Sequence, residues 1–153
     1  MMQEIAIHER WMQHALCLAE KAQDVGEVPV GAVIVLENEI IGEGWNQSIG
    51  LHDPTAHAEI QAIRAACQAL SNYRLPDADL YVTLEPCPMC AGAIVHTRLN
   101  RVIYATPDPR SGSADSVFQL LNNPQLNHSC EIVSGVLQER ASEMLKAFFR
   151  ARR

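Results

Sequence analysis

Apolar residues recur at helical spacing near the start of the chain. Trp11, Ala15, Leu18 and Ala22 fall on one stripe of a segment from His8 to Val25, and Gly26 suits its C-terminal cap. The period then changes. Pro29 to Leu36 is an unbroken apolar run rich in valine, which predicts a buried strand. Glu37-Asn38-Glu39 predicts a short turn, and Ile40 to Trp45 a second strand in an antiparallel hairpin. Gly42 and Gly44 interrupt that strand and suggest an edge or a bulge. After a loop from Asn46 to His52, Asp53-Pro54-Thr55 predicts a helix start, with Ile60, Ile63, Cys67 and Leu70 as the buried stripe. Further strands are predicted at Leu80 to Leu84, Arg101 to Ala105 and Glu131 to Val136. Helices are predicted from the turn at Glu85-Pro86-Cys87 to about Thr97, briefly at Ser116 to Leu121, and along the stripe of Leu137, Ala141, Met144, Leu145 and Phe148. This alternation predicts one domain over residues 1–153. Its architecture is α/β, a three-layer α/β/α sandwich on a five-stranded mixed sheet, largely parallel after the first hairpin.

Composition removes several classes of function. No stretch approaches the ~20 apolar residues of a membrane span. Met1 to Ile5 lacks the basic and apolar regions of a signal peptide, so a soluble, cytoplasmic protein is expected. Five cysteines, an odd number without a secretory leader, argue against a disulfide framework. Cys17 and Cys67 fall on apolar helical stripes, where a free thiol usually acts as a small core residue. The net charge of −6 is unequally distributed. Residues 1–60 carry ten acids against two bases, whereas residues 98–153 carry five acids against eight bases and end in Arg150-Ala151-Arg152-Arg153. A phosphate-contacting surface would therefore lie at the C-terminal end, although solvated terminal arginines would give the same count.

The chemistry concentrates in two short segments. His57-Ala58-Glu59 and Pro86-Cys87-Pro88-Met89-Cys90 each stand at a predicted helix start. Cys87 and Cys90, three apart, share one side of a helical turn. One imidazole and two thiolates make three ligands for a tetrahedral zinc ion, leaving the fourth position open as catalysis requires. A closed structural zinc site would need a further ligand, and no other cysteine or histidine has tight spacing to the set. The Pro88-Met89 pair does not follow a thioredoxin-like redox pattern. Helix N-termini favour thiolates through their unpaired N–H groups and positive potential. Glu59 alone would read as a first-turn glutamate favoured by the helix dipole. Beside three zinc ligands it reads as a proton carrier.

Asp53-Pro54-Thr55-Ala56-His57-Ala58-Glu59 together with Leu84-Glu85-Pro86-Cys87-Pro88-Met89-Cys90-Ala91-Gly92-Ala93 resembles the cytidine deaminase superfamily. Within it the chain is most similar to the bacterial tRNA-specific adenosine deaminases. The likeness runs through Val28 to Val33, Gly42 to Asn46, Asn72 to Leu75, Leu80 to Glu85, Asp108, Asn127-His128 and the Phe148-Phe149-Arg150 tail. It implies hydrolytic conversion of adenosine to inosine at the wobble position of a tRNA anticodon, with a homodimer binding the anticodon stem-loop. It implies one Zn2+ per subunit held by His57, Cys87 and Cys90, zinc-bound hydroxide as nucleophile and Glu59 as proton shuttle. Asn46 would hydrogen-bond the target base, with Val28, Pro29 and Ala58 among the substrate-binding residues and Asp108 near the ribose. Phe149, Arg150, Arg152 and Arg153 would contact RNA. The chain departs from the family in two places. Gln47 and Leu51 stand where relatives often have basic residues, and Pro107 and Pro109 predict a stiffer Asp108 loop. Two rival readings are a guanine or other free-base or nucleotide deaminase, and a non-catalytic zinc-stabilised RNA-binding module.

Overall fold

The computed structural model describes all 153 residues. In chain order its elements are α1 (Met2–Asp24), β1 (Gly31–Leu36), β2 (Glu39–Trp45), α2 (Ala58–Leu70), β3 (Asp79–Leu84), α3 (Pro88–Thr97), β4 (Arg101–Thr106), β5 (Glu131–Ser134) and α4 (Gln138–Arg150). The strands form one mixed sheet in the order β2-β1-β3-β4-β5. β1 runs antiparallel to both its neighbours, whereas β3, β4 and β5 are parallel to one another. The five strands, their mixed directions and the layers agree with the pattern of the sequence.

Successive strand residues point to opposite faces of a sheet, and here this divides the interior into two cores. Val33, Tyr81, Ile103 and Ala105 pack with Trp11, Met12 and Leu16 of α1 and with Ala141 of α4. Their immediate neighbours Ala32, Ile34, Leu80, Val82, Val102 and Tyr104 pack on the other face, where α2 and α3 lie. The two chemistry-bearing segments therefore belong to one layer, and α1 and α4 to the other.

Several local expectations are corrected. α1 begins at Met2 rather than near His8, because its first six residues are exposed and show no apolar stripe. α2 begins at Ala58, not beside Asp53. The Asp53 carboxylate accepts the Thr55 N–H (2.8 Å) and hydroxyl (2.7 Å), and the Thr55 carbonyl accepts the His57 N–H (2.8 Å), so the chain turns twice before it coils. The buried side of α2 is Ala58, Ala62, Ile63 and Ala66, while Leu70 is exposed. Gly42 and Gly44 explain this choice of small residues. A Cβ on Gly42 would lie 2.4 Å from the Ala62 carbonyl oxygen, and one on Gly44 would lie 2.3 Å from that of Ala58. β2 is indeed an edge strand and its glycines admit a helix; it also carries the bulge, since Ile34 pairs with Gly42 and Val35 with Ile40, leaving Ile41 as the extra residue. Cys17 is exposed rather than in the core.

The short helix expected at Ser116 to Leu121 is absent. Its N–H groups are engaged elsewhere: Ser116 donates to Glu85, Val117 and Phe118 to the Gly112 carbonyl, and Leu120 to that of Ser113. β5 ends at Ser134, where Gly135 and Leu137, both at positive φ, turn the chain into α4.

Candidate active site

His57 and Cys87 are the N-cap residues of α2 and α3, each with extended backbone, and Pro88 fills the first position of α3. An N-cap lies outside the helical spiral, so the His57 ring and the Glu59 carboxylate are not forced to opposite sides. Cys90 lies one turn into α3 and is fully buried. The His57 Nδ1 atom is 3.6 Å from Cys87 Sγ and 3.5 Å from Cys90 Sγ, and the three donor atoms lie within 4.8 Å of one another.

Those distances suit a shared metal ion. Tetrahedral bonds of ~2.3 Å to sulfur and ~2.05 Å to nitrogen separate the two donor atoms by about 3.6 Å. The electrostatics agree. A hydrogen bond from Cys90, with the nearby imidazole, holds the Cys87 thiol down at about 4, so a thiolate is already present at neutral pH. The shared proton stays on Cys90, whose pKa is raised by its bond to Cys87 and by burial. The Cys87 hydrogen bond raises the imidazole of His57.

Glu59 is the second residue of α2 and only 4% exposed. Burial pushes its pKa up to about 7. It borders a cavity of about 230 Å³ together with His57, Cys87, Asn46, Val28 and Asp108. Asn46, just after β2, accepts the Ala58 N–H through Oδ1 (2.8 Å), which satisfies a first-turn donor of α2 and leaves the amide NH2 as a donor. Ala58 thus acts here through its backbone. Pro29 is buried and does not line the cavity. Phe149, Arg150, Arg152 and Arg153 do not line it either. They lie at the end of α4 in the opposite layer, where the Arg152 guanidinium sits 3.4 Å over the Phe148 ring and donates to the Phe148 carbonyl (3.1 Å).

Four further residues line the cavity that motif reasoning did not single out: Val30, Leu84, Glu85 and Ser111. Two buried carboxylates hold the neighbouring loops. Glu27, 3% exposed, accepts the N–H groups of Ile49 (3.2 Å) and Gly50 (2.8 Å) and so anchors the loop that follows Asn46. Glu85, 2% exposed, accepts the N–H groups of Asp108, Ala114, Asp115 and Ser116. Burial alone would raise its pKa; these donors and the Ser116 hydroxyl outweigh burial and hold it below the ordinary carboxylate value. The signal in the sequence was a glutamate beside an apolar strand end, which periodicity does not separate from a solvated one.

A sandwich whose adjoining helix starts carry a histidine, two cysteines and a buried glutamate defines the nucleobase deaminases as a class. The MafB19-like deaminase family matches residues 6–153. Over 146 residues the chain is 51% identical to the tRNA-specific adenosine deaminase of Haemophilus influenzae, covering 95% of this chain and 84% of that one. It is 47% identical over 142 residues to the enzyme of the same description from Bacillus subtilis, covering 93% and 88%. A structure from a study of A-to-I editing by tRNA:A34 deaminases at the wobble position of transfer RNA matches with a TM-score of 0.86 and 44% identity, covering 89% of this chain and 99% of that one. A guanine deaminase from Nitrosomonas europaea shares the fold, with a TM-score of 0.77 at 22% identity, covering 92% and 83%. The chain belongs to the MafB19-like deaminases and, among them, to the family of tRNA-specific adenosine deaminases.

Proposed function

We propose that this chain hydrolyses adenosine to inosine at the wobble position of a tRNA anticodon, releasing ammonia. The observation that carries the reading is a buried, readily protonated Glu59 sharing a cavity with His57 and Cys87, which group with Cys90 as metal donors, in a chain 51% identical to a tRNA-specific adenosine deaminase. His57, Cys87 and Cys90 would hold one Zn2+, which when bound lowers the pKa of water to about 7 and so supplies a nucleophile at neutral pH.

The protein's own groups do the rest. Glu59 takes a proton from the attacking water, passes it to the ring nitrogen beside the reacting carbon, and then helps protonate the departing amine. The free amide NH2 of Asn46 orients the base, Val28 walls it, and Pro29 and Ala58 support that wall from behind. Asp108 faces the ribose. An anticodon loop suits such a cavity because its bases unstack at modest cost. Phe149, Arg150, Arg152 and Arg153 would extend the RNA contact beyond the cavity. The single domain would work as a homodimer, in the cytoplasm with its tRNA. No helix is long and apolar enough to cross a membrane.

The test is to incubate the purified protein with an anticodon stem-loop, free adenosine, guanine and cytidine, and to measure inosine and ammonia. Turnover of the stem-loop is expected. Turnover of guanine with an inert stem-loop would overturn the reading in favour of a free-base deaminase. Absence of turnover on every substrate would favour a non-catalytic RNA-binding module. Metal analysis of the same protein should give one zinc per subunit, and markedly less in Cys87→Ser.

A further inference from the structure

We propose that Glu85 is a positioning residue, whose buried carboxylate fixes Asp108 and Ser111 at the rim of the cavity and so sets how tightly the outer part of the nucleoside is held. This rests on the reading of the cavity as an adenosine site.

Glu85 stands one residue beyond β3, and its own N–H donates to the Thr106 carbonyl at the end of β4 (3.0 Å). Its side chain therefore starts from the rigid end of the sheet. One carboxylate oxygen, Oε1, accepts the Asp108 N–H (3.0 Å) and the Ser116 hydroxyl. The other, Oε2, accepts the N–H groups of Ala114 (3.0 Å), Asp115 (2.8 Å) and Ser116 (3.0 Å). A single charge thus ties down both ends of the segment 108–116. Hydrogen bonds to an ionised acceptor are roughly twice as strong as neutral ones, and burial strengthens them further.

The middle of the segment is shaped to the same group. A Cβ on Gly112 would lie 2.3 Å from the Glu85 carboxyl carbon, so the approach requires glycine there. Pro107 and Pro109 flank Asp108; the second restricts Asp108 itself to extended backbone. The Asp108 carboxylate is held in turn by the Arg110 N–H (3.0 Å) and the Ser111 hydroxyl (3.1 Å). Asp108 and Ser111 both line the cavity. They lie on a half-exposed loop, whereas Glu59 is buried, so they border the side by which the substrate enters. The connection runs unbroken from the sheet through Glu85 to the rim.

Glu85→Gln preserves the shape but turns an NH2 group towards N–H donors. Kinetics on the anticodon stem-loop should show KM raised about tenfold or more, with kcat within about threefold, because misplacing a positioning group by ~1 Å costs up to ~10²-fold. Gly112→Ala should give the same pattern from the loop side. Glu85→Gln combined with Asp108→Asn should raise KM no further than the larger single change, since groups in one network do not act additively. Amide exchange at Ala114, Asp115 and Ser116 should quicken in Glu85→Gln. The proposal is overturned if KM stays within about twofold of wild type, or if the two substitutions multiply in their effects. A wild-type protein inert on the stem-loop would instead overturn the adenosine reading. The amide exchange then decides on Glu85 alone, and unchanged protection overturns its role.

Discussion

At neutral pH an exposed glutamate carries no proton, whereas burial pushes Glu59 up to about 7, where it can both hold and release one. Such a group gives and accepts protons with equal ease, which a reaction with several transfers requires. Glu59→Gln should keep the fold and the zinc content but lower kcat by ~10²–10⁴-fold. Single-turnover measurement on the stem-loop checks this, and retention of activity within a few-fold of wild type would assign the proton to another residue. At this scale much of the site was legible. A histidine, two cysteines and a glutamate at two helix starts are unusual enough to name their chemistry without any packing. Glu27 and Glu85 were not legible in the same way. Their roles depend on which backbone N–H groups surround them, and loops distant in sequence decide that.

Strand and helix periods carried the nine elements well, because each sheet face and each helix stripe buries its own set of residues. They failed where apolar pattern did not govern. The start of α2 is set by the Asp53 turn, and its buried side by the glycines of β2, so alanines rather than Ile60 and Leu70 face inward. Gly44→Ala should therefore cost about 1–3 kcal/mol, the range for overpacking a tight interface, since the obstructing atom is the Ala58 backbone carbonyl. Gly92→Ala in α3, where a Cβ meets nothing within 4 Å, should instead stabilise by about 0.5–1 kcal/mol. Denaturant titration distinguishes the two. α1 carries a different liability. His8 is 4% exposed, bonded through Nδ1 to the Tyr81 hydroxyl (2.7 Å), with Nε2 3.6 Å from Glu4. Burial, helped by the Arg101 charge, lowers its pKa below 6.5. The unfolded chain then binds the proton more readily, so stability falls as pH drops below 6.5 towards the folded value. In His8→Gln the unfolding midpoint should be lower at pH 7 and depend less steeply on pH between 7 and 5.

Across the whole molecule, negative charge gathers in the first 60 residues and positive charge in the last third. Because Arg152 packs on Phe148, the arginines to remove are Arg150 and Arg153. Arg150→Gln with Arg153→Gln should lower tRNA affinity and flatten its log–log salt dependence by about 0.7–0.9 for each phosphate no longer neutralised. An unchanged slope would show a bystander tail and direct attention to Arg74, Arg98 and Arg110. The division between the layers was readable from the chain; the placement of its end relative to RNA was not, since a terminal helix can lie on either face without altering its own pattern. The seam where Gly42 and Gly44 meet Ala58 and Ala62 has a consequence at this scale. Backbone touches backbone there, so the helix that presents His57 and Glu59 has no slack, and that side of the cavity works as a fixed jaw. The opposite jaw, residues 108–116, is held by the Glu85 carboxylate, by the Ser113 N–H on the Pro86 carbonyl (2.8 Å) and by the Tyr104 hydroxyl on Asp115 (3.2 Å), while Asp108 and Ser111 stand half-exposed at its rim. A change of substrate in this lineage, natural or engineered, would be accommodated in that second jaw while the reacting end of the cavity stays as it is.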